Sequence, residues 1–278
     1  MSNYKYLLED FDLCNTFQKK FNSNFHIFKS SEVQYLTNLL IDKINKKLLT
    51  NKINIDNLNS LHASVDENQK VYDQNFGVNQ FSNDFYEMGD NFRNNYLNLL
   101  KNDLRPIIKE DFYFQDNPTV RIHFPHPSSE LFYPFFHSDV QLGHPPYEIN
   151  LWIPLNYPDN LEGYGFTLSD LSKSKEIFKE LNFELEDLKI NKKKYTEILT
   201  PFSEIQNFDY GNALLFDSRC FHSALPLKNF TRISIDIRII TVSDFEKFNH
   251  EYQGLGRKKK FFIPGDGYNK LSIDNLPL

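Results

Sequence analysis

Apolar residues in the first hundred or so positions recur at helical spacing. Ser30 and Ser31 can cap a helix running through Glu32–Ile41, with Tyr35 or Leu36, Leu39, Leu40 and Ile44 on one face. A second helix is expected to start near Ser82–Asp84, burying Phe85, Met88, Phe92, Tyr96, Leu97, Leu99 and Leu100, until Pro106 interrupts or restarts it. Residues 50–80 are rich in Asn and Asp, lack periodicity, and read as a long loop with short turns.

Beyond about residue 111 the period changes to two. Phe112 and Phe114, then Val120, Ile122 and Phe124, alternate with other residues, as strands do. Glu148–Leu155 reads as a strand with Glu148, Asn150 and Trp152 on one face. Ala213–Phe216 follows the turn residues Tyr210–Asn212. The clearest strand is Arg232–Ile240. Its isoleucines 233, 235, 237 and 239 face one way, and Arg232, Ser234, Asp236 and Arg238 face the other.

These patterns predict one domain over 1–278: a mainly helical support layer (1–110) on an antiparallel barrel or jelly roll (111–243). A charged helical insertion (about 167–195) interrupts the strands, and an irregular tail (244–278) follows them. The expected class is mainly β with a helical N-terminal layer.

Composition narrows the function classes. The chain has 278 residues, 40% of them apolar, enough for a substantial core; aromatics reach 15%, with 27 Phe and 15 Tyr. A net charge of -6 argues against non-specific nucleic-acid binding, and the basic run Arg257–Lys260 reads as a solvated surface. Two cysteines, Cys14 and Cys220, suggest neither a disulfide framework nor a Cys-rich zinc site. No apolar stretch is long enough for a membrane span and the first residues carry no apolar signal region. The expectation is a cytoplasmic, reducing compartment with a small-molecule substrate, and neither nucleic acid nor membrane as partner.

The chemistry concentrates in a split set: His137 and Asp139 in His-Ser-Asp, and His222 downstream. Two imidazoles and a carboxylate are the ligand set that holds non-heme Fe(II) on one triangular face, leaving the other positions for O2 and a bidentate 2-oxo acid. His-x-Asp alone is a weak signal. Here the run Tyr210–Asp217 leads to His222, and Arg232 and Ser234 follow on one strand face, suited to a carboxylate through a bidentate guanidinium and a hydroxyl. Arg238 is a rival clamp, or pairs with Asp236. His123, His126 and His144 form a competing zinc set, disfavoured by the prolines among them. His123 and His144 otherwise read as wall or structural residues.

His137–Asp139, Asn150–Leu155, Gly211–Asp217, His222 and Arg232–Ser234 together resemble the Fe(II)/2-oxoglutarate-dependent dioxygenases. The likeness is to the phytanoyl-CoA hydroxylase-like branch, and within it to bacterial biosynthetic members of aminoglycoside and surface-sugar pathways. It spans about Pro118–Ile240. It implies a double-stranded β-helix, with His137, Asp139 and His222 as iron ligands and Arg232 with Ser234 as the 2-oxoglutarate clamp. It also implies decarboxylation of 2-oxoglutarate to succinate and CO2 with oxidation of a substrate C–H bond. Halogenating relatives replace the carboxylate ligand with a small residue, so Asp139 points to hydroxylation or a related oxidation. Asn150 is expected near the keto-acid end of 2-oxoglutarate, and Arg121, His123, Gln141, Glu148, Trp152 and Arg238 are candidate substrate contacts. That polar set suits a sugar, an aminoglycoside-like molecule, an amino acid or a conjugate. Tyr133, Phe135 and Phe136 are candidate wall residues. A jelly roll that binds a carbohydrate or small ligand without chemistry is the alternative.

Overall fold

In the computed structural model the described residues are 11–73, 78–125, 136–142, 144–156, 166–181, 192–206, 209–224, 229–248, 265 and 267–272. The N-terminal part holds α1 (Thr16–Phe21), β1 (Phe25–Lys29), α2 (Val33–Lys47), 3-10 turns at Ile55–Ser64 and Glu67–Lys70, and the two-residue strands β2 (Tyr72–Asp73) and β3 (Val78–Asn79). Then come α3 (Gln80–Asn83), α4 (Asp90–Asn98), a π turn at Leu99–Leu104 and α5 (Arg105–Ile108). The strand region holds β4 (Phe112–Gln115), β5 (Thr119–His123), β6 (Ile149–Pro154) and β7 (Phe166–Ser169). It continues through α6 (Leu171–Leu181), α7 (Lys192–Leu199), β8 (Ser203–Ile205), β9 (Asn212–Asp217), β10 (His222–Ala224), β11 (Arg232–Thr241), α8 (Val242–Lys247) and β12 (Tyr268–Leu271).

The long alternating strand becomes the centre of the larger sheet. β11 pairs β6 on one side and both β4 and β5 on the other, in the order β1-β9-β6-β11-β4-β12 with β5 also on β11. A smaller sheet, β10-β7-β8, faces it. Every strand pairing among the described residues is antiparallel. The isoleucine face of β11 packs with Val120, Ile122, Leu151, Ile153 and Leu215 under α2 and α4, where Leu36, Leu40, Ile44, Phe92 and Tyr96 are buried. Between the sheets lies a second cluster of Trp152, Phe166, Leu168, Leu214, Phe216, Cys220 and Phe230. The arrangement is a double-stranded β-helix, a jelly roll with a helical layer on its outer face.

Several elements depart from the expectations. The support layer contributes β1, which pairs β9 from Phe25↔Phe216 to Lys29↔Asn212 and extends the larger sheet. The second helix starts at Asp90 rather than near Ser82, because Gly89 takes φ +85° at its N-cap, a backbone that glycine adopts without a Cβ clash. Pro106 does restart the helix, after the π turn at Leu99–Leu104. The insertion is shorter than expected at its start: residues 167–169 belong to β7, which needs its partners β10 and β8 to become a strand. The tail is not wholly irregular, since α8 begins at Val242 and β12 pairs β4. The basic run Arg257–Lys260 and the aromatics Tyr133 and Phe135 lie outside the described residues.

One buried anchor ties the N-terminal segment to the turn that delivers His222. Arg219, 3% exposed, bonds Asp217 at 2.8 and 2.7 Å, the Phe11 carbonyl at 2.6 Å, Gln18 Oε1 at 2.6 Å and the Cys14 carbonyl. Burial disfavours its charge, but Asp217 outweighs that and raises its pKa. Removing it strands the Asp217 carboxylate in the interior. Arg219→Ala should therefore cost about 3–5 kcal/mol of unfolding free energy, measured by urea denaturation. A loss below about 1 kcal/mol would show that the anchor is dispensable.

Candidate metal centre

His137, Asp139 and His222 converge. Their ligand atoms all lie within 4.8 Å of one another, and all three side chains are buried. Among the described residues this is the group of three or more His, Cys, Asp or Glu side chains placed to share an ion. The two imidazoles come together through the backbone: His137 N donates to His222 O at 3.0 Å, and His222 N to His137 O at 2.8 Å. The ring centroids are 4.4 Å apart. His137 is an isolated bridge partner, and Asp139 opens a 3-10 turn, Asp139–Leu142. Ser138 fixes that corner, donating to Ser218 O at 2.8 Å and accepting from Val140 N at 3.3 Å.

His222 Nδ1 faces the Cys220 carbonyl at 3.2 Å, which assigns the proton to Nδ1 and leaves Nε2 as the ligand atom. Phe216 and Phe166 flank the ring, with centroids at 5.0 and 5.8 Å. Burial lowers the His222 pKa below the ordinary 6.5, against the pull of Asp139, so the imidazole is neutral and ready to coordinate. Burial alone would raise the Asp139 pKa, but Arg238, then His144, His222 and His137, hold it well below the usual carboxylate range. Asp139 is thus an anion and His222 a neutral donor, the protonation states that a divalent ion requires.

The three pocket arginines differ. Arg238, the rival clamp, lies 3.0 Å through Nε from Asp139 Oδ2 and 3.8 Å from Glu148 Oε2, so it braces the ligand carboxylate. It does not pair with Asp236. Arg121 does, from β5 across to β11. Arg232 Nη2 lies 2.9 Å from His123 Nδ1. Burial, then Arg232 and Arg121, hold the His123 pKa well below 6.5, so the ring stays neutral and accepts that bond. Ser234 donates to Asp236 Oδ1 at 3.4 Å.

These groups line one cavity of about 80 Å³, partly open to solvent. The metal triad, Arg121, His123, Asn150, Trp152, Arg232, Ser234 and Arg238 all border it, as do Phe166, Phe216 and Asp236. Asn150, 5% exposed, has no hydrogen-bond partner on either amide atom. A buried amide with both functions unmatched is costly unless a ligand completes it. One expected contact is corrected. Glu148 has its side chain 0% exposed and 2.6 Å from His144 Nδ1. It sits behind Arg238, off the cavity lining. The competing zinc set also dissolves, because His123 engages Arg232 and His144 engages Glu148; His126 and the Gln141 side chain lie outside the described residues. Phe136 is buried with Val140 and Phe221 in a separate cluster, so it is a packing residue. Phe166, Phe216 and Asp236 were missed as pocket residues. For Asp236 and Phe216 the strand alternation was the available signal; Phe166 gave none, since its strand exists only through its partners.

No protein-family model matches the chain, and no curated protein matches it. Solved structures similar to it include EctD from S. alaskensis with bound Fe, at 12% identity over 80% of this chain and 74% of that one, TM-score 0.45. Another is the non-heme alpha-ketoglutarate-dependent epimerase SnoN from nogalamycin biosynthesis, at 9% identity over 93% and 97%, TM-score 0.43. A third is the non-heme monooxygenase ThoJ in complex with Ni, at 13% identity over 83% and 77%, TM-score 0.38. At such low likeness, function has to be read from this chain's own residues.

The depressed His222 pKa gives a pH expectation with a definite sign. A histidine whose folded pKa is lowered contributes stability that is present above its unfolded value of 6.5 and lost as pH falls below it. In the folded protein, protons compete with a metal for this imidazole only around its lowered pKa, below 6.5. Zn(II) affinity, measured by chelator competition from pH 8 to 5, should stay level down to below pH 6.5 and then fall. A decline that begins above pH 7 would contradict the neutral, buried imidazole.

Proposed function

We propose that this chain is an Fe(II)- and 2-oxoglutarate-dependent oxygenase that hydroxylates a small polar molecule and releases succinate and CO2. The observation that carries it is the convergence of two buried imidazoles and one ionised carboxylate at a cavity that also presents Arg232, Ser234 and an unmatched Asn150 amide. The donor set suits iron: a ring nitrogen of His137, an Asp139 oxygen and His222 Nε2 would hold it, and the ion would couple a 2-oxo acid and O2 to oxidation of a substrate.

The chain's own groups do the rest. Arg232, oriented by the neutral His123, is placed to hold the distal carboxylate, and Ser234 stands two residues along the same face. Asn150 offers a donor and an acceptor to the metal-side end of the co-substrate. Arg238 keeps Asp139 ionised and fixed. Trp152, stacked on Phe166 at 4.9 Å, and Phe216 form an apolar wall that limits water at the reacting carbon. An intact Asp139 fits hydroxylation rather than halogenation. The polar lining supports a sugar, an aminoglycoside-like molecule, an amino acid or a conjugate as the oxidised substrate of a biosynthetic step. No described helix is long and apolar enough to cross a membrane, and a cytoplasmic location, where Fe(II) stays reduced, belongs to the proposal.

Anaerobic addition of Fe(II) and 2-oxoglutarate should produce a visible charge-transfer band, and oxygen should then convert 2-oxoglutarate to succinate. His222→Ala should abolish both. A chain that binds a carbohydrate or other small ligand without metal, and keeps that affinity in Asp139→Ala, would instead be a binding module.

A further inference from the structure

Asp236 is a cavity carboxylate with no place in the metal centre. It stands on the pocket face of β11, between Ser234 and Arg238, directly across from Trp152 on β6. One of its oxygens accepts from Arg121 Nε, and the other from the Ser234 hydroxyl at 3.4 Å. The pair is not sealed: the Arg121 and Asp236 side chains are 24% and 25% exposed. Two donors that could receive a ligand carboxylate therefore already serve a carboxylate that belongs to the chain.

We propose that Asp236 is an internal competitor for the ligand's carboxylate. It holds Arg121 and Ser234 until a carboxylate ligand takes over those donors, and so sets the anion affinity of the pocket. This rests on the reading that the cavity takes a 2-oxo diacid beside the metal, and adds a specificity-determining residue to it. The physics is a matter of charge. A guanidinium paired with Asp236 attracts an incoming anion far less than a guanidinium alone, and the fixed carboxylate repels the anion as well. At a partly wet site this opposition is worth about tenfold in affinity. A role in folding alone predicts the reverse direction, because losing the acceptor would loosen Arg121 and weaken the site.

The direction of the effect is the test. The full chain, loaded with redox-inert Zn(II), is titrated with 2-oxoglutarate and followed by the fluorescence of Trp152, the one tryptophan of the sequence and a pocket wall. Asp236→Asn keeps the shape and removes the charge; Asp236→Ser is the second variant should the amide fold poorly. Thermal melts confirm the fold of each. The expected result is 2-oxoglutarate binding about tenfold tighter in the variant than in the wild type. Equal or weaker binding in the variant overturns the inference alone. If neither wild type nor variant binds 2-oxoglutarate, the inference falls together with the oxygenase reading.

Discussion

Two backbone hydrogen bonds hold the site together. The reciprocal pair between His137 and His222, at 3.0 and 2.8 Å, joins the chain ahead of β6 to the start of β10. Without it the two imidazoles belong to segments separated by most of the jelly roll. With it they face one cavity, and the 3-10 turn at Asp139 needs only to turn one carboxylate toward them. Much of the neighbouring structure steadies this bridge. Ser138 ties the His137 side to Ser218, and the Asp217–Arg219 anchor fixes the turn before β10. The N-terminal segment, through Phe11, Cys14 and Gln18, closes over that turn.

Charge is distributed around the bridge with the same economy. Burying a guanidinium or a carboxylate is unfavourable unless a partner is at hand. Arg238 answers Asp139 and Glu148, Arg121 answers Asp236, and Arg232 leans on a histidine kept neutral. The three arginines have the same side chain but different work. Arg238 braces Asp139, Arg232 rests on His123, and Arg121 pairs with Asp236. Glu148 and His144 complete the support behind Arg238 without reaching the cavity.

The sequence made some of this legible and hid the rest for physical reasons. The alternation in Arg232–Ile240 was readable because one face of β11 packs against helices and the other lines a polar cavity, which writes a period of two into the residues. The helix at Val33–Lys47 was readable for the same kind of reason, with Leu36, Leu40 and Ile44 on its buried face. By contrast β1, β7 and β12 are short strands whose existence depends on partners far along the chain, and local pattern carries little trace of that. The ligand residues could be named from type and order. Which arginine met which acid could not, since Arg121 and Asp236 meet only once β5 and β11 are paired.

On the proposed oxygenase reading, His137, Asp139 and His222 hold one divalent ion with its open side toward Arg232. A crystal structure of the chain grown anaerobically with Mn(II) and 2-oxoglutarate tests it most directly, through the anomalous signal of the metal. One strong peak bonded to all three side chains is expected, with the 2-oxo acid chelating it and its far carboxylate on Arg232. A peak elsewhere, or none at the triad, would contradict it.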